Sequence, residues 1–306
     1  VNKKHQFALK MLPIENKEAL AMITTYHLHI AELEFFASPF STDFSIPQFI
    51  GGAQGNNPQS FYILMKWDNR SMPSFHDGLS IDQAKSVLEA IANLHKQTKR
   101  EKCREKKLGY FEKMPLEKHR KRQADLFLDC FERCDDLMQT LFESRLAQKD
   151  LQMIRQVYKQ PSLLHHILEV TYSGEIFSSK KFPLALIHGD LWSGNVLIDK
   201  KTNATTLLDW QFTMIANPMV DLSIFLATSV NANILMDNLN LLLKHYYDAS
   251  TPLYDSFEQC QQAFDECWVV ALLMAFASVD CWIGDQPNKN VLARYDNIIQ
   301  QASRIL

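Results

Sequence analysis

Four residues in the second half of the chain combine types and spacing that can do chemistry: His188, Asp190, Asn195 and Asp209. Two carboxylates and an amide oxygen are hard ligands. Mg²⁺ takes such ligands, and prefers one or two carboxylates plus substrate phosphates to a cage made wholly of protein. A carboxylate in the same loop can also accept the proton of a reacting hydroxyl. The plain alternative is that these Asp and Asn residues are turn formers, bonding their own backbone.

The elements that must position them are short. Residues 196–199 (VLID) and 205–208 (TTLL) are β-like runs, and the five polar residues KKTNA between them read as a turn. Pairing Asp199 with Thr205 sets Asn195 opposite Asp209, at one end of a single hairpin. Asp190 lies five residues before Asn195, in the loop that leads into this hairpin. His188, Asp190 and Asn195 have the H-x-D-x-x-x-x-N spacing of the protein-kinase catalytic loop, and Asp209 follows 14 residues after Asn195, as the second metal Asp.

The segments HGDLWSGNVLID (188–199) and LLDWQ (207–211) resemble the aminoglycoside phosphotransferase–choline kinase superfamily, and most of all its ecdysteroid-kinase-like, or CHK-kinase-like, branch. Pro218, Asp221, Leu222 and Ser223 extend the likeness. So do LSIDQAKSVLEAIANLH (79–95), FALKML (7–12) and HIAELEFF (29–36), and together these span most of residues 7 to 230. The resemblance implies an α+β, bilobal protein-kinase-like fold, with an N-terminally truncated small α/β lobe over 1–67 and a larger, mainly helical lobe over 68–306. It implies ATP and Mg²⁺ as cofactors and a small-molecule hydroxyl as acceptor: an ecdysteroid-like sterol, a choline-like alcohol or another hydroxylated metabolite. Asp190 would be the catalytic base, or would orient the substrate hydroxyl, with His188 bracing its loop. Asn195 and Asp209 would hold the metal. Lys10 would contact the nucleotide phosphates with Glu32 as its ion-pair partner, although Glu34 competes for that place. Met65, Lys66, Trp67 and Asp68 would form the hinge that meets adenine.

The rest of the chain agrees with two unequal lobes. Phe7–Leu12, Gln48–Gly51 and Phe61–Trp67 read as strands, with a turn-rich tip over 51–59. Lys17–Phe36 reads as one helix, free of Gly and Pro. Ser80 and Gln83 form a capping-box pattern before an amphipathic helix to Lys96. Helical patterns occupy 122–170, interrupted near Pro161, and again run from 218 to the end, with one short β segment at 184–211.

Composition narrows the classes. The 306 residues are 46% hydrophobic and 22% charged, with net charge −3. These values exclude a disordered chain and argue against a nucleic-acid binder. Nine Gly and 11 Pro exclude collagen-like architecture. Six sparse cysteines suit reduced thiols in the cytoplasm rather than a disulfide framework. The first ten residues lack a signal-peptide core. The most apolar stretch, 267–284, carries Asp280 and reads as a buried helix rather than an integral membrane segment. Oligomeric state is not readable.

Two departures from the family pattern stand out: the hinge carries Lys66 where superfamily members often carry an acid, and the segment before the lysine strand is short. Only nine residues precede Lys10, and none is Gly, so the Gly-rich phosphate loop is expected upstream of Val1 or missing altogether. No D-F-G and no A-P-E segment follows the catalytic loop, which argues against a protein kinase. The rival readings are a pseudokinase-like ligand- or partner-binding module and a metal-dependent hydrolase built from the same carboxylates. Other features stay open. The basic stretch 96–122 holds 12 Lys/Arg against 4 Asp/Glu, and is either a solvated helix face or a patch for an acidic partner. Cys130 and Cys134 are buried thiols or a metal pair. Trp268, Phe276 and Trp282 pack a core or line an acceptor pocket.

Overall fold

A computed structural model describes residues 6–25, 27–38, 44–55, 60–99, 125–126, 128–133, 135–136, 139–141, 143, 148–173, 182–278 and 288–305. Most of the basic stretch, together with Cys103, Cys134, Cys281 and Trp282, lies outside them. The chain folds as a small sheet lobe followed by a larger helical lobe, the protein-kinase-like α+β arrangement.

The sheet lobe has three antiparallel strands, β1 (Phe7–Met11), β2 (Phe49–Gln54) and β3 (Phe61–Lys66), in the order β1-β3-β2. Phe7 pairs with Lys66 and Lys10 with Ile63. β2 is longer than its sequence suggests. Gly51 and Gly52 sit inside the strand rather than in a turn, and a side chain at Gly52 would strike Leu33 and the Tyr62 carbonyl. Helices α1 (Lys17–Thr25) and α2 (Leu28–Ala37) connect β1 to β2. The single helix expected over 17–36 is therefore broken. Thr24 turns its hydroxyl back onto the Leu20 and Ala21 carbonyls, and His27 takes a left-handed conformation with φ of 52°. Back-bonded, β-branched residues weaken a helix at that point.

In the helical lobe, α3 (Ile81–Gln97) starts at Ser80. The Ser80 hydroxyl accepts the Gln83 N–H at 3.4 Å, and the Gln83 side chain accepts the Ser80 N–H at 3.0 Å. This is the capping box that the sequence predicts. α4 (Gln148–Lys159) and α5 (Pro161–Ser173) meet at Pro161, which opens α5 where its missing N–H costs nothing. Then come α6 (Met219–Ser229), α7 (Ala232–Ser250), α8 (Phe257–Ala277) and α9 (Lys289–Ile305). All of α6 is buried, as a helix apolar around its circumference must be. It packs on α8, while α3 packs on α7. Trp268 and Phe276 belong to this core: the Trp268 indole N–H donates to the Ile298 carbonyl at 2.9 Å. Among the described residues no helix is long and apolar enough to cross a membrane.

Between α5 and α6 four short strands carry the central loops: β4 (Ala185–Ile187), β5 (Val196–Ile198), β6 (Thr205–Leu207) and β7 (Met214–Ala216). β5 pairs with β6, and β4 with β7, a strand the sequence does not announce. The β5–β6 register differs by one residue from the expected one. Val196 faces Leu207 and Ile198 faces Thr205, so Asp199 meets Ala204 and the turn has four residues, 200–203. The cause is local. Asp199 accepts the N–H groups of Lys201 and Thr202 at 2.9 Å, and Asn203 closes the turn with φ of 57°.

Candidate active site

The register places Asn195 opposite Leu208, whose N–H donates to the Asn195 carbonyl at 2.8 Å. Asp209 therefore does not face Asn195 across the ladder. It reaches the site because its backbone turns away from the strand with φ of 59°, a conformation uncommon outside glycine. Such strain persists only where surrounding contacts over-determine it. Here Asp209 Oδ1 takes a 2.7 Å bond from Lys10 Nζ, and the next residue, Trp210, donates its N–H to Glu32 Oε1 at 3.2 Å.

Lys10 is the junction of the two lobes. Its ammonium lies 2.7 Å from Glu32 Oε2 and 2.7 Å from Asp209 Oδ1. Burial favours the neutral amine, but the two carboxylates outweigh it and hold the Lys10 pKa above the ordinary lysine value. Of the two candidate partners, Glu32 makes the pair. Its side chain is 2% exposed on α2. Phe35, one turn further on, stacks on Trp210 with centroids 3.9 Å apart, and His188 lies 4.6 Å beyond.

His188 is buried and does not line the open site. Its Nε2 donates to the Leu208 carbonyl at 2.7 Å, and its Nδ1 accepts the Asp190 N–H at 3.3 Å. Burial lowers its pKa, with Asp221 opposing, so the ring is neutral and acts as a brace. Gly189 must be glycine. Its φ is +83°, and a Cβ there would sit 2.2 Å from the Phe212 carbonyl oxygen. Asp190 is half-buried beside Asn195, whose amide nitrogen donates to the Asp190 carbonyl at 2.8 Å and to its Oδ2 at 3.0 Å. Burial and the nearby Asp209 carboxylate push the Asp190 pKa up to about 7, against the pull of its Asn195 bond. A carboxyl group with that pKa changes its charge near neutral pH.

A cavity of about 480 Å³ opens between the lobes. Lys10, Glu32, Met65, Lys66, Trp67, Asp68, Asn195 and Asp209 all line it, with Ala8, Arg70, Leu197 and Leu208. His188 and Asp190 are not on its wall, and Asp190 adjoins it through Asn195. The hinge segment differs in detail from the expectation. The Lys66 N–H is spent on the Gln48 carbonyl and the Trp67 N–H on the Gln6 carbonyl, each at 2.9 Å. The Asp68 carboxylate is clamped by Arg70, at 3.0 Å from Nε and 2.7 Å from Nη2, and accepts the Thr206 hydroxyl at 3.0 Å. It ties the segment to β6 and is not free for a ligand.

Among the described residues, no three His, Cys, Asp or Glu gather to hold a metal by themselves. The donor set suits an ion that shares its shell with phosphates. The Asn195 amide nitrogen is committed to Asp190, which leaves Asn195 Oδ1 and the Asp209 carboxylate on the cavity wall as hard oxygens.

Sequence reasoning gave Asp221 no role. Its carboxylate is fully buried at the start of α6. It accepts the N–H groups of His188 and Gly189 at 2.7 and 2.8 Å, and lies 3.1 Å from His95 Nε2, whose Nδ1 meets the Tyr246 hydroxyl at 2.8 Å. The signal was the acid in P-x-x-D-L-S, an ionisable group amid apolar residues.

A sheet lobe over a helical lobe, with Lys, Glu, Asp, Asn and Asp converging at their junction, defines a phosphotransferase fold of the protein-kinase-like class. The sequence matches the ecdysteroid kinase-like family over residues 59–257, and the chain belongs to that family. Among solved structures, a choline kinase from Cryptosporidium parvum is 10% identical, with a TM-score of 0.55 over 91% of this chain and 78% of its own. An ethanolamine kinase from Plasmodium vivax is 11% identical, with a TM-score of 0.55 over 100% of this chain and 77% of its own. An aminoglycoside phosphotransferase solved with streptomycin and ATP overlaps more loosely, at 15% identity and a TM-score of 0.49 over 98% of this chain and 86% of its own. No curated protein matches the sequence.

Proposed function

We propose that the chain transfers the γ-phosphoryl group of Mg²⁺·ATP to a hydroxyl of a small molecule, as a cytoplasmic enzyme with a nucleotide-holding lobe over 1–67 and a catalytic lobe over 68–306. Family membership sets the class. The observation that carries the reading is Lys10, bridging Glu32 and Asp209 at the edge of a cavity also lined by Asn195.

In this reading the nucleotide enters the cavity with its base against Ala8 and the hinge. Lys10 keeps Glu32 and exchanges Asp209 for phosphate oxygens. Asn195 and Asp209 would hold the metal, which would supply neutralising charge for the transferring group. Asp190 accepts the proton of the acceptor hydroxyl as its oxygen bonds to the γ-phosphorus, while the bond to the bridging oxygen of ADP breaks. His188, Gly189 and Asp221 hold that loop rigid. The acceptor class, whether sterol, amino alcohol or another alcohol, is the next question.

The test is a thermal-shift titration with ATP, with and without Mg²⁺, followed by turnover of an Asp190→Asn variant on a panel of hydroxylated metabolites. The reading expects a Mg²⁺-dependent stabilisation, equal to about 2.7 kcal/mol at a hundred times the dissociation constant. It also expects Asp190→Asn to keep that stabilisation and lose roughly 10²- to 10⁴-fold in turnover. An active variant sinks the role of Asp190. Binding without any turnover favours a ligand-holding module.

A further inference from the structure

Lys10 has a second effect on the site, set by which oxygens it holds. Its ammonium lies 2.7 Å from Glu32 Oε2 and 2.7 Å from Asp209 Oδ1. Glu32 is fixed in place: its side chain is 2% exposed, and its Oε1 takes the Trp210 N–H at 3.2 Å. The ammonium is thus anchored to α2 while it reaches a carboxylate of the other lobe. That carboxylate lines the cavity together with Asn195. The Asn195 amide nitrogen donates to the Asp190 carbonyl at 2.8 Å and to Asp190 Oδ2 at 3.0 Å, which leaves its Oδ1 as the second hard oxygen. One of the two metal-seeking groups therefore already carries a cation.

An ammonium and a divalent ion compete for Asp209. Oδ1 is in the grip of Lys10, and an ion on Oδ2 would stand close to a positive charge. Like charges that near repel one another wherever water is partly excluded. The Lys10 and Asp209 side chains are 32 and 31% exposed, so solvent screens part of this repulsion and not all of it. One paired carboxylate and one amide oxygen make a poor seat for a free Mg²⁺ ion, which gives up its water reluctantly. Among the described residues, no three His, Cys, Asp or Glu gather to make up the difference. A metal carried on a phosphate chain meets a different balance. The phosphates offer Lys10 new oxygens as Asp209 is released, and Glu32 keeps its hold throughout. No buried charge loses its partner in that exchange.

We propose that Lys10 is a specificity-determining residue for the metal: it holds the Asp209–Asn195 seat against a free divalent ion and yields it to one that arrives on a phosphate chain. The proposal rests on the reading that Asn195 and Asp209 hold the metal. The ordinary alternative is that the contact of Lys10 with Asp209 only ties the lobes together, and that a free ion binds equally well with or without it.

Mn²⁺ is the probe, because its free-ion EPR signal falls as it binds and no nucleotide is needed. The full chain is titrated as wild type and as Lys10→Met/Glu32→Gln, which removes the cation with its buried partner and leaves the net charge unchanged. The double variant should bind Mn²⁺ about ten- to a hundred-fold more tightly, a range usual for coupled sites. Adding Asp209→Asn should abolish the gain, and Glu32→Gln alone, which keeps Lys10, should show none. If the double variant does not fold, Lys10→Met with its Asp209→Asn partner carries the same comparison. Equal or weaker Mn²⁺ binding overturns the proposal. So does a gain that survives Asp209→Asn, since the ion then sits elsewhere. The underlying reading is tested apart from this, by calorimetric titration of ADP with and without Mn²⁺. Mn²⁺ should tighten ADP binding to the wild type and fail to do so in Asp209→Asn. If it tightens both alike, Asp209 is not the metal ligand and the reading beneath the proposal fails. If Asp209 is needed there, and Lys10→Met/Glu32→Gln gains nothing with Mn²⁺ alone, the metal assignment stands and the role of Lys10 falls. A wild-type chain that binds no ADP refutes the proposed function, and the Mn²⁺ titrations still decide the role of Lys10.

Discussion

The two sides of the cavity are built in opposite ways. Below it, the catalytic loop is fastened by buried polar atoms: Asp221 takes two backbone N–H groups, and His188 is bonded at both ring nitrogens. Above it, three strands present an open apolar face, with Phe7, Leu9 and Met11 exposed by 53, 57 and 53%. The upper side brings one cation to the cavity, Lys10, paired with one buried carboxylate, Glu32. The lower side must hold several atoms in a fixed relation, and it uses bonds that cannot be traded for water. The upper side places a single charge at the cavity edge from a thin sheet packed on one helix pair.

That contrast breaks most visibly at Asp221. Asp221→Ala leaves two buried N–H groups unpaired, each costing about 1–3 kcal/mol, and the sum of roughly 2–6 kcal/mol should lower Tm by about 10 °C in calorimetry. A shift under 2 °C would mean the loop is not held as described. On the upper side, Lys10→Met should act on ligand more than on fold. The affinity for Mg²⁺·ATP should fall by about tenfold or more, some 1.4 kcal/mol, by isothermal titration. Equal affinity would remove Lys10 from the nucleotide site.

A smaller effect is expected at the segment joining the lobes. Burial opposes ionisation of Asp68, but its bonds from Arg70 and Thr206 win and hold its pKa below the usual carboxylate range. A depressed folded-state pKa stabilises the fold above the unfolded value of about 3.9, and the benefit is lost as pH falls through the folded value. The stability difference between wild type and Asp68→Asn should thus be constant at neutral pH and shrink below about pH 4. A difference that grows on acidification would contradict the assignment. The smallest effect sharpens the comparison from the other end. Leu9→Ser on the open face should change stability by no more than about 0.5 kcal/mol in denaturant unfolding. A larger loss would show that this face is covered in solution.

Much of this was legible because the chemistry sits in short, local motifs. The kinase-like fold and the family follow from the stretches around His188–Asn195 and Asp209, and the capping box at Ser80 marks the start of α3. What escaped depends on backbone detail or distant contact. The β5–β6 register slipped by one residue because Asp199 and a left-handed Asn203 make a four-residue turn, which no hydrophobic pattern distinguishes from a five-residue one. The break at His27 was hidden by helix-favouring residues on either side. β7 is three residues long, too short for a period to show. The contact of Arg294 with Phe75 joins residues 219 positions apart, which only the fold brings together.

One bond described above has a mechanical meaning. Glu32 accepts from Lys10 on one side and from the Trp210 backbone on the other, so a single carboxylate couples α2 to the lysine on β1 and to the residue after Asp209. Displacing α2 by the width of one hydrogen bond loosens both at once. Linkage is reciprocal: whatever moves α2 and so changes affinity in the cavity is itself changed, by the same factor, by an occupant of the cavity.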